Sequence, residues 1–272
     1  MGCRIPVETV PDPALRMSDK VPISVVVITR NEEAQIADCL ASAAFADDLV
    51  VVDDGSTDRT VELARQHTAH ILSRRMDIEG RHRNWAYAQA KHDWVFSLDA
   101  DERITPELAD ELAALMRQGP QHVVYNTPIR AYLGDRWIRH GGWYPGRKDR
   151  FFDRHKFRYE EAEVHPRPII NGSHGRLTHD VVHYSYRNFG DFLTSVNNQT
   201  TLEAKKWLRD GRSIGLGIAL WRTADRFFRA YVGKAGYKDG FLGFMVACFA
   251  GGYQLLSYAK YWELRRGSHP DG

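Results

Sequence analysis

The chain has 272 residues, 43% of them hydrophobic and 26% charged, a composition that suits one large domain with an appendage and excludes wholesale disorder. Its net charge of +2 is unevenly spread, with 12 Lys/Arg against 6 Asp/Glu in residues 201–272 and a slightly acidic remainder. A basic excess confined to an apolar tail argues against nucleic-acid binding and for an anionic surface met by the tail alone. Cys3, Cys39 and Cys248 lie far apart without metal-ligand spacing, the usage of a reducing compartment, and the first twenty residues lack the apolar segment of a secretory signal.

Residues 1–22 read as a polar, proline-bearing lead-in. Order begins with ISVVVIT over 23–29, a β-branched run of the kind buried on both faces of a sheet. Asn31 caps a helix in which Ile36, Leu40 and Ala44 recur at helical spacing. A second buried strand covers 49–52, followed by a helix over 57–67, a short strand over 70–73, a helix over 80–91 and a strand over 94–98. Thr105 then caps a helix with Pro106 in its first turn and Leu108, Leu112 and Leu115 on one face. Strands alternating with helices predict an α/β fold built on a mostly parallel sheet.

One domain is expected over 23–190, with a nucleotide-binding half to residue 118 and an acceptor half of short strands and loops after it. Residues 191–272 form a helical extension. Within it, Ile214, Ile218, Trp221, Phe228 and Tyr231 fall on one side of a helix and Arg222, Arg226 and Arg229 on another. That pattern suits either an anionic membrane surface or a helix packed on the domain with solvated arginines. Residues 241–259 carry no formal charge over nearly a bilayer's span, but glycines, Gln254, Ser257 and two tyrosines dilute them. A buried or membrane-surface helix is therefore expected ahead of a spanning one.

Three polar clusters, at 29–32, 53–56 and 99–102, each directly follow a strand, where ligands of parallel sheets bind. Asp99 and Asp101 flank a small residue and can reach one hard cation, Mg²⁺ or Mn²⁺, whose other positions would be filled by water and substrate phosphates. Asp53 and Asp54 can accept hydrogen bonds from a base N–H or ribose hydroxyls, with Gly55 allowing a tight turn and Asp58 capping the next helix. Arg83 can face phosphates or lie on a helix surface, and Asn31 and Glu32 can bind ligand or simply open a helix.

VVVITRNEE, VVDDGSTDRT, RHRNWAYAQA and WVFSLDADE, in that order and spacing, resemble the nucleotide-binding half of family 2 glycosyltransferases, which have the GT-A fold. The resemblance implies that Thr29, Glu32 and Asp54 hold uridine, Arg83 approaches the diphosphate, and Asp99 and Asp101 bind ribose and metal. It also implies an inverting transfer with one carboxylate as general base. GGWYPGRKDRFF, EVHP, LTHDVVHYSYRNFGDF and YAKYWELRR further resemble bacterial lipopolysaccharide-core β-glucosyltransferases. That likeness implies a cytoplasmic enzyme peripheral to the inner membrane, moving a hexose from a UDP-sugar, most plausibly UDP-glucose, to a lipopolysaccharide-core or other lipid-linked acceptor. Glu160, Glu161 and Glu163 are the base candidates, with Glu163 first; the subgroup has a glutamate after its Val-His pair, where this chain has Pro166. Trp143, Tyr144, Arg147, Lys148 and Arg150 offer stacking and phosphate contacts, while His179 and His183 read as structural or phosphate-contacting. A polyprenyl-phosphate glycosyltransferase and a noncatalytic nucleotide-sugar-binding module are the alternatives.

Overall fold

The structure is a computed structural model that describes residues 20–162 and 166–267. In chain order it forms β1 (Val21–Thr29), α1 (Ile36–Ser42), β2 (Ala46–Asp53), α2 (Thr60–Ala64), β3 (Ile71–Ser73), α3 (Glu79–Ala88), β4 (Trp94–Asp99), β5 (Glu102–Ile104) and α4 (Pro106–Gln118). There follow β6 (Val124–Leu133), β7 (Arg136–Trp137), β8 (Gly146–Asp153), β9 (Phe157–Tyr159), β10 (Pro168–Ile170), β11 (His174–Arg176) and β12 (Val181–Tyr186), then α5 (Phe189–Arg209), α6 (Leu216–Phe228) and α7 (Gly240–Gly267). Apart from its last three residues, the expected lead-in lies outside the described residues, as does Glu163.

The main sheet runs β3-β2-β1-β4-β8-β6-β12-β5. Its first four strands are parallel, β8 enters antiparallel between β4 and β6, and β12 is parallel to β6. The β-branched run in β1 explains its central place. Val25 and Val27 pack on one face with Leu40, Leu108 and Leu112, and Val26 packs on the other with Ala86, Tyr87 and Phe152. Side chains that alternate between two apolar layers need hydrophobicity at every position, and this strand has it.

The helices near the first two strand ends are shorter than periodicity suggests. Asn31 is not an N-cap: it has φ +54°, its Oδ1 accepts from Thr57 N–H at 2.8 Å, and α1 starts only at Ile36. Residues 57–59 stay out of α2 because side chains hold their amides, with Glu33 accepting from Arg59 N–H at 3.1 Å. Hydrogen bonds to Asn and Glu side chains from the neighbouring strand end here outcompete the helix. Thr105 does cap α4, accepting from Leu108 N–H.

The C-terminal helices form a separate packing layer. Phe192 and Val196 of α5 meet Leu242 and Val246 of α7, and Trp207 meets Tyr261. Lys260 Nζ donates to Asn197, Thr200 and Thr201, tying α7 to α5. A Cβ on Gly251 would come within 2.8 Å of the Thr223 carbonyl, so this glycine lets α6 lie close on α7. Counting the 3₁₀ turn before it, α7 belongs to a 32-residue helix that contains an 18-residue stretch of mean hydropathy 1.4, long and apolar enough to cross a membrane by length and composition. The apolar side expected around α6 divides: Ile214, just before the helix, is buried with Trp207 and Tyr261, while Ile218, Trp221 and Phe228 are exposed, and within α6 only Ala219 is buried.

The loop after β9 rests on α3, where Gly80 N–H donates to the Ala162 carbonyl. A Cβ on Gly80 would sit 1.8 Å from the Glu160 carbonyl oxygen. Gly80→Ala should therefore lift this loop and destabilise the protein by about 1–3 kcal/mol, as other overpacking substitutions do. Thermal denaturation checks this, and an unchanged midpoint would show that the loop does not rest on α3.

Candidate active site

Sheet register gathers the three polar clusters. Thr29 is paired with Asp53, and Ile28 with Asp99, so the carboxyl ends of β1, β2 and β4 lie along one edge. A fourth group arrives from far along the chain. β12 pairs with β5 so that His183 stands opposite Glu102, beside the turn that ends β4.

Thr29 is buried, and its hydroxyl has no partner, an arrangement that favours a ligand contact. The neighbouring acids divide their work. Both oxygens of Asp53 accept from Ser56 N–H at 3.1 Å, and one accepts from Gly55 N–H at 3.0 Å, so Asp53 shapes the turn. Asp54 accepts from Met76 N–H at 2.7 Å and turns its other oxygen to Arg30 at 3.4 Å. Glu32 is half-buried, and burial together with the nearby Asp101 carboxylate raises its pKa. His82 of α3 is fully buried, and neither ring nitrogen has a partner. Burial and the charge of Arg74 lower its pKa, which favours neutral imidazole.

At the end of β4, the two aspartates have different surroundings. Arg150, 4% exposed, donates from one nitrogen to Asp99 at 2.7 Å and from the same nitrogen to the fully buried Glu102. Arg83 stands 3.7 Å from the other Asp99 oxygen, and its own Nε donates to Glu79. Burial disfavours charge on Asp99, but Arg150 and Arg83 prevail and hold its carboxyl well below the usual range. Burial dominates at Glu102 and raises its pKa against the pull of Arg150. Glu102 also accepts from Asp99 N–H at 3.1 Å, which closes the turn.

Asp101 has no arginine partner among the described residues. Its carboxylate meets His183 Nε2 at 3.0 Å, and both side chains retain solvent access. A half-open carboxylate beside an imidazole fits a divalent ion that takes only part of its shell from protein and the rest from water and phosphate oxygens. No group of three His, Cys, Asp or Glu residues able to hold a metal occurs among the described residues.

The other expected site residues are differently placed. Glu160 accepts from Arg167 N–H at 3.0 Å, and Glu161 pairs with Arg81 at 2.8 Å. Trp143 packs on Tyr186 and Phe192, the Tyr144 hydroxyl donates to Asp180, and Arg147 donates to the Leu177 carbonyl. His179 is held by Glu111 at 3.0 Å. Arg150 makes a buried ion pair, which an arginine directly before the two aromatic residues Phe151 and Phe152 could have signalled. The tie between His183 and Asp101 has no sequence signal, because only the pairing of β12 with β5 creates it.

The profile of Glycosyl transferase family 2 matches residues 24–172, which include the first three strand ends and the loop after β9. The chain is 26% identical over 254 residues to the lipopolysaccharide core biosynthesis glycosyltransferase LpsC of Rhizobium meliloti, covering 91% of this chain and 94% of that one. It is 27% identical over 261 residues to the uncharacterized glycosyltransferase RT0209 of Rickettsia typhi, covering 89% and 87%. Among solved structures, S. aureus TarS 1–349 gives a TM-score of 0.43 at 17% identity over 92% of this chain and 93% of that one. The family profile, which matches more than half of the chain and takes in its strand-end motifs, identifies the chain as a member of glycosyl transferase family 2.

Proposed function

We propose that this glycosyltransferase moves a hexose, glucose the leading candidate, from a UDP-linked donor to a lipopolysaccharide-core or other lipid-linked acceptor, with inversion at the anomeric carbon. The observation that carries the reading is the division of labour in the strand-end turn: Asp99 is locked to Arg150, and Asp101 stands free beside His183. The name of LpsC, whose likeness spans nearly the whole of both chains, supports the lipopolysaccharide-core acceptor. The exposed apolar side chains of α6 and the long apolar α7 support work at the cytoplasmic face of the inner membrane.

In this reading Thr29, Glu32 and Asp54 bind the uridine, while Asn31 and Asp53 shape the loops around it. Arg83 and Asp99 lie next to the ribose and diphosphate. Asp101 and His183 would hold Mg²⁺ or Mn²⁺, which when bound offsets charge on the departing diphosphate. The base must take the proton of the acceptor hydroxyl as that oxygen attacks. Glu163, first among the candidates from the sequence and outside the described residues, is the first residue to test; Glu160 and Glu161 have partners in the structure.

UDP release from UDP-glucose with Mn²⁺, with and without acceptor, tests the reading. Asp101→Asn should reduce turnover at least about 100-fold, and His183→Ala should weaken apparent metal affinity about 10–100-fold. Glu163→Gln should lower kcat by about 100-fold or more with little change in donor binding. If wild type releases no UDP from any UDP-sugar, the catalytic reading fails; full activity of Asp101→Asn would remove the metal from this turn.

Arg150 underlies this arrangement, and removing it would leave two acids uncompensated in a buried place. Arg150→Met should cost about 3–5 kcal/mol in chemical denaturation. Adding Glu102→Gln should restore part of that loss, because one of the stranded charges is gone. Equal stability of the single and double variants would show that Glu102 is not coupled to Arg150.

A further inference from the structure

Two adjoining cavities lie in the C-terminal helical layer, away from the strand ends. The first, about 340 Å³, has Trp207, Trp221, Arg212, Arg222, Arg226 and Arg229 in its walls. The second, about 420 Å³, is walled by polar and apolar groups in similar measure, with Trp143, Phe192, Val246, Phe249, Ala250 and Tyr253 on its apolar part. Glu203, Arg226 and Gln254 line both, so the basic cavity opens beside the apolar one.

The charges in the basic cavity are only partly balanced. Asp225 is paired with Arg229 at 2.6 Å, and Glu203 accepts from Trp207 Nε1 at 2.6 Å. Arg212 reaches Asp210 at 3.5 Å, whereas Arg222 and Arg226 form no ion pair among the described residues. Two unpaired guanidiniums beside tryptophans make a site for a phosphate, which accepts the planar donor fork of arginine. A free phosphate or sugar phosphate would need only this half. The apolar cavity that continues from it calls for a ligand with a hydrocarbon part attached to the phosphate.

The surroundings place such a ligand at a lipid surface. Trp221 is 65% exposed and Leu216 54% exposed on the same helix that carries Arg222 and Arg226. Exposed tryptophan and leucine beside arginine are what an interfacial helix presents to headgroups and upper acyl chains. Tyr186, which also lines the apolar cavity, is three residues beyond His183 on β12, so the pocket adjoins the catalytic domain.

We infer that α5, α6 and α7 form a binding site for a phosphate-bearing membrane lipid, with its headgroup on Arg222 and Arg226 and an acyl segment in the pocket by Val246, Phe249 and Ala250. The site deepens the membrane-facing part of the proposed function and rests on that part, but not on the transfer reaction.

Co-sedimentation of the full chain with vesicles of phosphatidylcholine alone, or mixed with phosphatidylglycerol, at physiological ionic strength tests it. Wild type should prefer the anionic vesicles by about tenfold or more. Arg222→Gln with Arg226→Gln should weaken partitioning by about 20–30-fold, the loss of two close basic contacts. Arg265→Gln with Arg266→Gln, at the far end of α7, should change it much less. Ala250→Trp, which fills the apolar cavity at constant charge, should weaken partitioning too. Thermal shift by a short-chain phosphatidylglycerol should exceed that by glycerol phosphate or inorganic phosphate, since only the lipid uses both cavities.

Each arm has an overturning result. If both arginine pairs weaken binding equally, the attraction is diffuse and there is no site. Equal protection by inorganic phosphate would make the ligand a free anion, and unchanged partitioning of Ala250→Trp would remove the acyl pocket. Circular dichroism of each variant separates lost binding from lost folding, and a variant that unfolds is replaced by Arg222→Lys or Ala250→Met at the same positions. UDP release without vesicles should be unchanged in the arginine variants. Vesicle binding without any UDP release in wild type would sink the transfer reading and leave this one standing.

Discussion

Arg150 lies beneath the turn that closes β4, carried there by an antiparallel strand inserted between β4 and β6. Its guanidinium sets the charge state of two carboxyls that point in different directions. Asp99 is held as the carboxylate because two arginines face it, whereas burial raises the pKa of Glu102 against the pull of Arg150. Glu102 in turn accepts from the Asp99 amide, which fixes the backbone that presents Asp101. A buried pair of this type adds little net stability compared with apolar packing, but losing one partner is costly. Its contribution is to position: Asp101 is left without a guanidinium and can answer to other charges.

The same division appears in the other acids of the edge. Asp53 is consumed by backbone amides and Asp54 by Met76 N–H and Arg30, whereas Glu32 stays half-buried. Burial, and after it the nearby Asp101 carboxylate, raise the proton affinity of Glu32. Several acids converging without full compensation form a region of negative potential, which a divalent ion or a cationic group would relieve. Thr29 and His82, both buried and without partners, complete a polar lining in a part of the fold that is otherwise apolar.

The helical layer follows a different rule. α5 and α7 share an apolar seam, but α6 presents Trp221, Phe228 and Leu216 to the outside. In water this exposure is unfavourable by about 25 cal/mol for each Å² of apolar surface left uncovered. Several exposed large apolar side chains on a helix that also bears arginines suit an interaction surface. Because α6 rests on α7 through the close approach at Gly251, whatever covers α6 is held next to the catalytic domain.

The parallel half of the sheet was legible in the sequence because its signals are local. A β-branched run buried on both faces, apolar spacing in the α4 segment and polar clusters at strand ends each need only neighbouring residues to be read. Helix bounds were less legible, since Asn31 and Glu33 bind backbone amides more than 25 positions away and keep residues 57–59 from coiling. The duties of individual acids were not legible at all. That Asp99 belongs to Arg150 and Asp101 to His183 follows from the register of β8 on β4 and of β12 on β5, pairings that join residues 51 and 82 positions apart. So the sequence by itself determined the α/β class and the position of the site at the strand ends. Only the tertiary structure decided which carboxylates are neutralised and which stay free, because charge compensation depends on burial and distance and leaves no periodic trace along a chain.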